Sequence, residues 1–204
     1  MVMRRPVDRC WWVRACWFVM ICVSLTGFTH ASQAKAVPPV AAAALQKLLP
    51  SIDGWTSGVA RVDLVEISPD AKYSYASVTF TKADLRVKLT LADTGSSADI
   101  LTALASMVVT MPEDYAGQVG ALAIKRGQIG GSPAVEAWDA QKSAGEISVV
   151  VGGRFVATVE ASKVDSVATL RAILDKVDLK ALAALFFLWH GFRRYFRTSG
   201  PPAP

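Results

Sequence analysis

Polar and apolar residues alternate most cleanly from Leu85 to Leu91, where Leu85, Val87, Leu89 and Leu91 share one side and Arg86, Lys88 and Thr90 the other. A period of two is that of a strand with one face on a core and one toward water. Tyr73 to Thr81 repeats the pattern, with Ala76, Val78 and Phe80 on one face and Tyr75, Ser77 and Thr79 on the other. A β-rich run from Gly58 to Ser68 precedes it and ends in Pro69-Asp70-Ala71-Lys72, a turn by composition. Further strands are predicted over Gly120 to Arg126 and Ala134 to Asp139. From Glu146 to Glu160, two β-branched and aromatic runs flank Gly152-Gly153, the mark of a hairpin. A three-residue loop Val151-Gly152-Gly153 collects Ile147, Val149, Phe155, Ala157 and Val159 on one face, with Gly153 in the left-handed position.

The period lengthens elsewhere. Val40 to Leu49 carries Leu45, Leu48 and Leu49 at helical spacing and is stopped by Pro50. Ala98 to Val109 places Ile100, Leu101, Leu104, Met107 and Val108 on one side of a helix. Asp165 or Ser166 caps a helix through Val177, striped by Val167, Leu170, Ile173, Leu174 and Val177. Asp178 caps another run from Leu179 to about Phe187. The order β-β-β-α-β-β-β-β-α after an N-terminal helix predicts an α+β fold. A mainly antiparallel sheet of about six or seven strands is expected, with helices packed on one face.

The two ends of the chain change this picture. Met1 to Arg14 is basic, Ala15 to Phe28 is an apolar run of about fourteen residues, and the residues up to Ala36 are small and polar. These are the three parts of a signal peptide over residues 1–36, with cleavage after Ala34 or Ala36. The alternative is an inner-membrane anchor through residues 15–28, although a span wants ~20 apolar residues. A single domain then occupies residues 37–185. Residues 186–204 mix aromatics with Arg193, Arg194 and Arg197 before a Pro-rich end, a composition suited to weak membrane-surface contact through residues 186–197.

Charge follows the same division. Of the formal +5, residues 1–36 hold +4 and the three tail arginines +3, which leaves residues 37–189 at −2. The domain is not a nucleic-acid binder by charge. Cys10, Cys16 and Cys22 all precede it, so the mature chain is expected to carry no disulfide, as suits an exported protein held by its core.

Candidate chemistry is sparse. Beyond residue 36 the chain has no cysteine and one histidine, His190, which leaves no nucleophile–histidine–acid set and no soft metal site. No metal or cofactor is expected. Asp93-Thr94-Gly95 resembles the catalytic loop of aspartic proteases, in which two such loops share a proton between carboxylates. A single copy implies a homodimer, and Val150-Val151-Gly152-Gly153-Arg154 only approximates the second motif of the retroviral-type enzymes. The remaining binding candidates are Trp55, Trp138 and Arg154, near predicted strand ends together with Asp93.

Taken in order, Leu48-Leu49-Pro50, Leu91-Ala92-Asp93-Thr94, Ala134-Val135-Glu136-Ala137-Trp138, Gly145-Glu146, Val151-Gly152-Gly153-Arg154-Phe155 and Asp178-Leu179-Lys180-Ala181-Leu182 resemble a group of small exported bacterial proteins without an assigned activity. The resemblance runs from about Leu45 to Leu185 and implies no catalysis. The expectation is a periplasmic or secreted, non-enzymatic protein that acts by binding or by structural association, with a protein partner left open. The two rival readings are the aspartic protease through Asp93 and a membrane-surface protein through the tail.

Overall fold

The computed structural model describes residues 37–186. The proposed signal peptide, His190 and the tail beyond Phe186 lie outside the described residues. Among the described residues no helix is long and apolar enough to cross a membrane.

A short helix α1 (Ala42–Gln46) leads into an interrupted edge strand, β1 (Thr56–Ser57) and β2 (Arg61–Ser68), which both pair with β3 (Ala71–Lys82). β4 (Leu85–Asp93) completes an antiparallel meander. Two helical segments follow, α2 (Ala98–Leu104) and α3 (Ser106–Thr110). A second meander comprises β5 (Ala116–Val119), β6 (Leu122–Ile129), β7 (Ser132–Asp139), β8 (Ala144–Val151) and β9 (Phe155–Ser162). The chain closes with α4 (Val167–Leu174) and a helix over residues 179–186, α5. β4 pairs antiparallel with β9, which joins the meanders into one nine-stranded sheet of order β1-β3-β4-β9-β8-β7-β6-β5, with β2 also on β3.

The α+β class and the antiparallel sheet follow the alternation. The strand count does not, since nine strands form where six or seven are expected. β1 precedes the strand predicted from Gly58 to Ser68, which itself begins only at Arg61 as β2, because the chain leaves β3 at Val59. β5 is a four-residue exposed edge whose Ala-Gly-Gln-Val sequence carries no alternation. β6 and β7 also run to Ile129 and Ser132, so the expected loop is a tight turn.

The helices also differ from expectation. Leu45 of α1, Leu170, Ile173 and Leu174 of α4 and Leu182 of α5 cover one face, against Phe80, Leu89, Leu91, Ile147, Val149, Phe155 and Val159. By contrast, Ala105 and Val108 pack on the opposite face against Ala92, Val135, Ala137, Val150 and Val156. The cause is visible in β8 and β9: Val149-Val150-Val151 and Phe155-Val156-Ala157 are apolar in succession, so both faces there must be covered. The expected single helix over 98–109 breaks at Ala105, whose φ of −137° is not helical.

The central hairpin keeps its predicted faces, with Ile147, Val149, Phe155, Ala157 and Val159 all in the main core. Its loop sits one residue further on. Val151 pairs with Phe155, so the loop is Gly152-Gly153-Arg154, and both glycines take positive φ (60° and 65°). Arg154 thereby becomes a turn residue at the top of β9.

Candidate functional site

Two features stand out, a buried ion pair at one end of the sheet and a polar groove on its second face. β4 ends at Asp93, which pairs in register with Phe155 of β9. That pairing brings Asp93 beside the preceding residue, Arg154, although 61 positions separate them in sequence. The guanidinium forks onto the carboxylate, Nε to Oδ1 at 2.6 Å and Nη2 to Oδ2 at 2.7 Å. Asp93 is 0% exposed and Arg154 3%. Such a pair persists in a dry interior only when the remaining lone pairs and protons find partners.

Most do. Oδ2 accepts from the Val40 amide at 2.6 Å and Oδ1 from the Gly95 amide at 2.8 Å. Arg154 Nη2 also donates to the Pro38 carbonyl at 3.1 Å, and its own carbonyl accepts from the Thr94 hydroxyl at 2.9 Å. Nη1 has no hydrogen-bond partner among the described residues; the guanidinium lies 5.3 Å from the Phe155 ring centre and 5.6 Å from that of Phe186. The incoming chain is stitched on further by Val37 N–H to Ser96 Oγ, Ser96 N–H to the Val37 carbonyl, and Ser74 Oγ to the Val40 carbonyl. Gly95 is required here: its φ is +62°, and a Cβ would lie 2.4 Å from the Val37 carbonyl oxygen.

This arrangement fixes a segment of chain. Asp93 has both oxygens engaged by cationic or amide donors and presents neither to solvent or to a second carboxylate, which proton-sharing catalysis requires. Asp-Thr-Gly here is loop chemistry: Asp93 receives the Gly95 amide, Thr94 holds the Arg154 turn, and Ser97 caps α2 by accepting from Ile100 N–H.

The tryptophans lie elsewhere. Trp138, Gly145, Ala161, Val87, Phe80 and Ser57 form one row across six strands, and Trp55 stands two residues before Ser57. Asp93 is six residues further along β4 than Val87, roughly 20 Å away along the strand. Both indoles are partly buried against the main core. The structure thus joins Asp93 to Arg154 and puts Trp55 and Trp138 toward the opposite end of the sheet.

A groove of about 810 Å³ opens on the second face, bounded on one side by Ala103 and Leu104 of α2. Its floor reads as three rows across the strands. One is hydroxyl-rich: Ser77, Thr90 and Thr158 stand in register, and Ser148 continues the row just beyond the groove, its Oγ 3.2 Å from Thr158 Oγ1. The next is charged, with Lys88 opposite Glu160 and Glu160 opposite Glu146. The third is apolar, made by Tyr75, Ala92 and Val156, with Tyr73 beside Tyr75 at 6.2 Å between ring centres. Lys88 Nζ lies 3.6 Å from Glu160, and Glu146 accepts from Ser148 Oγ at 2.6 Å. Directly opposed glutamates repel across a strand pair, so this placement opposes stability and demands either the nearby lysine or a ligand.

None of Asp93, Arg154, Trp55 and Trp138 lines the groove. Its residues belong to the faces that alternation assigns to solvent; polarity is legible in the sequence, curvature is not. Among the described residues, no cluster of three or more His, Cys, Asp and Glu side chains is placed to hold a metal.

Comparison with protein-family models, with curated proteins and with solved structures finds no match to this chain.

Proposed function

We propose that this chain is an exported, non-enzymatic protein that binds a small polar solute in the groove on the second face of its sheet. The observation that carries the reading is the groove floor, where a hydroxyl row, a Lys-Glu-Glu row and two half-buried tyrosines are set in register on rigid strands. Concave sites of this size with a few fixed polar groups are the usual form of small-ligand pockets. The hydroxyls suit a ligand rich in hydrogen-bonding groups, and Tyr73 and Tyr75 offer it flat apolar surface. The burial of Asp93 supports the non-enzymatic part of the proposal, because the strongest catalytic candidate in the sequence is committed to Arg154.

Export rests on the signal-like composition of residues 1–36. Docking of Val37 to Val40 onto the sheet end agrees with it, since the residues just beyond the expected cleavage sites are held in the fold. Intact-mass analysis of chain recovered from the periplasm tests this: a start at Lys35 or Val37 is expected, and an uncleaved chain in the membrane fraction would establish the anchor instead.

Binding is tested by melting the protein against sugars, amino acids and short peptides, with Tyr75→Ala and Thr90→Val beside the wild type. A ligand at a hundred times its dissociation constant stabilises the fold by about 2.7 kcal/mol. That shift should disappear in both variants; a shift that survives in both refutes the groove. Pepstatin-sensitive peptide cleavage that is lost in Asp93→Ala would reinstate the protease.

A further inference from the structure

The first edge of the sheet is left open in an unusual way. β2 is exposed along almost its whole length, and four of the six exposed large apolar residues among those described are Val59, Val62, Leu64 and Ile67. Val62 and Leu64 pair with Ala76 and Ser74 of β3, and Ala76 is buried in the main core, so both extend the core face of the sheet past its last covered strand. Arg61 and Asp63 pair with Ser77 and Tyr75 on the groove face. Edge strands that avoid association carry charges on both faces, a proline or a covering loop. This edge has a bulge and a core-face charge only at its far end, where Glu66 pairs with Lys72; from Arg61 to Val65 its core face carries just Val62 and Leu64, and the Leu64 amide donates to the Asp63 carboxylate at 2.8 Å, the local capping of an amide at an open edge.

We infer that this edge is the dimerisation surface, pairing antiparallel with β2 of a second copy about a two-fold axis through Val62 and perpendicular to the sheet. The register follows from charge. Centred on Val62, each Arg61 lies opposite Asp63 of the second copy, so two ion pairs form on the groove face. Val62 meets Val62, and Leu64 meets Ala60, on the core face. Centring on Asp63 opposes two aspartates, and centring on Leu64 sets Asp63 opposite Val65 and Arg61 opposite Ile67, which leaves the charges unmatched. The Val62 axis sets Arg61, Val62 and Asp63 of the two copies on one another and carries the rest of each β2 toward the interruption at residues 58–60 of the other. Asp63 turns from its own strand to the facing Arg61 and releases the Leu64 amide to the intermolecular ladder. Gly58, Val59 and Arg61 also line the groove, so the two grooves adjoin across the axis. The dimer stands independently of the groove's ligand.

The test is sedimentation velocity on the purified full chain over a concentration series, with Arg61→Asp, Asp63→Arg and the double exchange. Both sites are exposed, and circular dichroism checks that each variant folds. A concentration-dependent dimer is expected for the wild type. Each single exchange opposes like charges twice and should weaken the dimer about tenfold or more. The double exchange restores Asp opposite Arg and should recover the dimer. A wild type that stays monomeric at every concentration overturns the inference, as does a dimer that both single exchanges leave intact. A wild-type monomer that binds a different protein along this edge overturns it too, because the occupant would not be a second copy.

Discussion

Replacing Arg154 with alanine removes the cation from a carboxylate that has no exposed surface, and the size of the loss follows from what stays behind. Asp93 keeps the amides of Val40 and Gly95 but loses both guanidinium bonds, and the Pro38 carbonyl loses its donor. Breaking a buried pair from one side costs about 3–5 kcal/mol, because the surviving charge is stranded. A domain of this size is stable by about 5–15 kcal/mol, so a fifth or more of its stability should vanish. Asp93→Leu should lose a similar amount by stranding the arginine. Joining Asp93→Leu to Arg154→Ala removes both charges together and should lose less than the two single losses combined. It should still fall short of the wild type by about 2–6 kcal/mol, since the Val40 and Gly95 amides lose their acceptor at about 1–3 kcal/mol each. Urea unfolding followed by the fluorescence of Trp55 and Trp138, both packed on the core, measures all four proteins. Single variants that lose under 1 kcal/mol, or losses that add in the double variant, would refute this account of the junction.

Gly95→Ala should lose about 1–3 kcal/mol, because its φ of +62° is strained for alanine and its Cβ would fall 2.4 Å from the Val37 carbonyl oxygen; thermal melts and earlier proteolysis near residue 40 would show it. Leu170→Ala on α4, fully buried against the sheet, should lose about 2–5 kcal/mol in urea unfolding, whereas Val119→Ala on the exposed edge β5 should lose almost nothing. Asp139 is held below its ordinary value of 3.8, first by the Lys142 amide and then by the Lys142 ammonium and the Gln141 amide. A lowered folded pKa adds stability above the unfolded value that is lost as pH falls through the folded one, so the urea midpoints of wild type and Asp139→Ala should differ at pH 7 and draw together as pH falls below the ordinary aspartate range.

How much of this was readable from the chain depends on the range over which each feature is decided. The faces of β3, β4 and β9 are local, since alternation at Leu85 to Leu91 or Phe155 to Val159 fixes which side meets the core. The stripe on α4 and the Asp178 cap, whose carboxylate accepts from Ala181 N–H, are equally local. β5 carries no signal because an exposed edge needs no apolar pattern, and the second helical face is hidden because consecutive valines in β8 fit the hairpin register as well as double burial. The Asp93–Arg154 pair is decided by register over 61 positions. Both residues stood out, one through a loop motif and one through a turn, yet nothing local couples them. The available signal was a lone acid at the end of one strongly alternating strand and a lone base at the start of another. The same missing register let Trp55 and Trp138 be assigned to the wrong end of the sheet.

Register also explains why a charged pair sits where a leucine would pack. β4 and β9 belong to different meanders, and no short turn sets their alignment. Their inward residues, Val87, Leu89 and Leu91 against Ala161, Val159 and Ala157, are all apolar, so a slip of two positions would keep every core residue on the core side. Hydrophobic pattern alone therefore discriminates weakly between those alignments. The ion pair discriminates strongly: the slip carries Arg154 away from Asp93 and leaves two buried charges unpaired, each at several kcal/mol. It also pulls the Val40 amide and Pro38 carbonyl off their partners, so the incoming chain can dock only on the aligned sheet. The pair thus contributes stability chiefly by satisfying the Val40 and Gly95 amides, and it supplies much of the distinction between two otherwise similar sheets. The doubly apolar variant should then recover part of the stability lost in the single variants while losing uniqueness at the β4–β9 seam, visible as doubled amide resonances for residues 86–93 and 155–162.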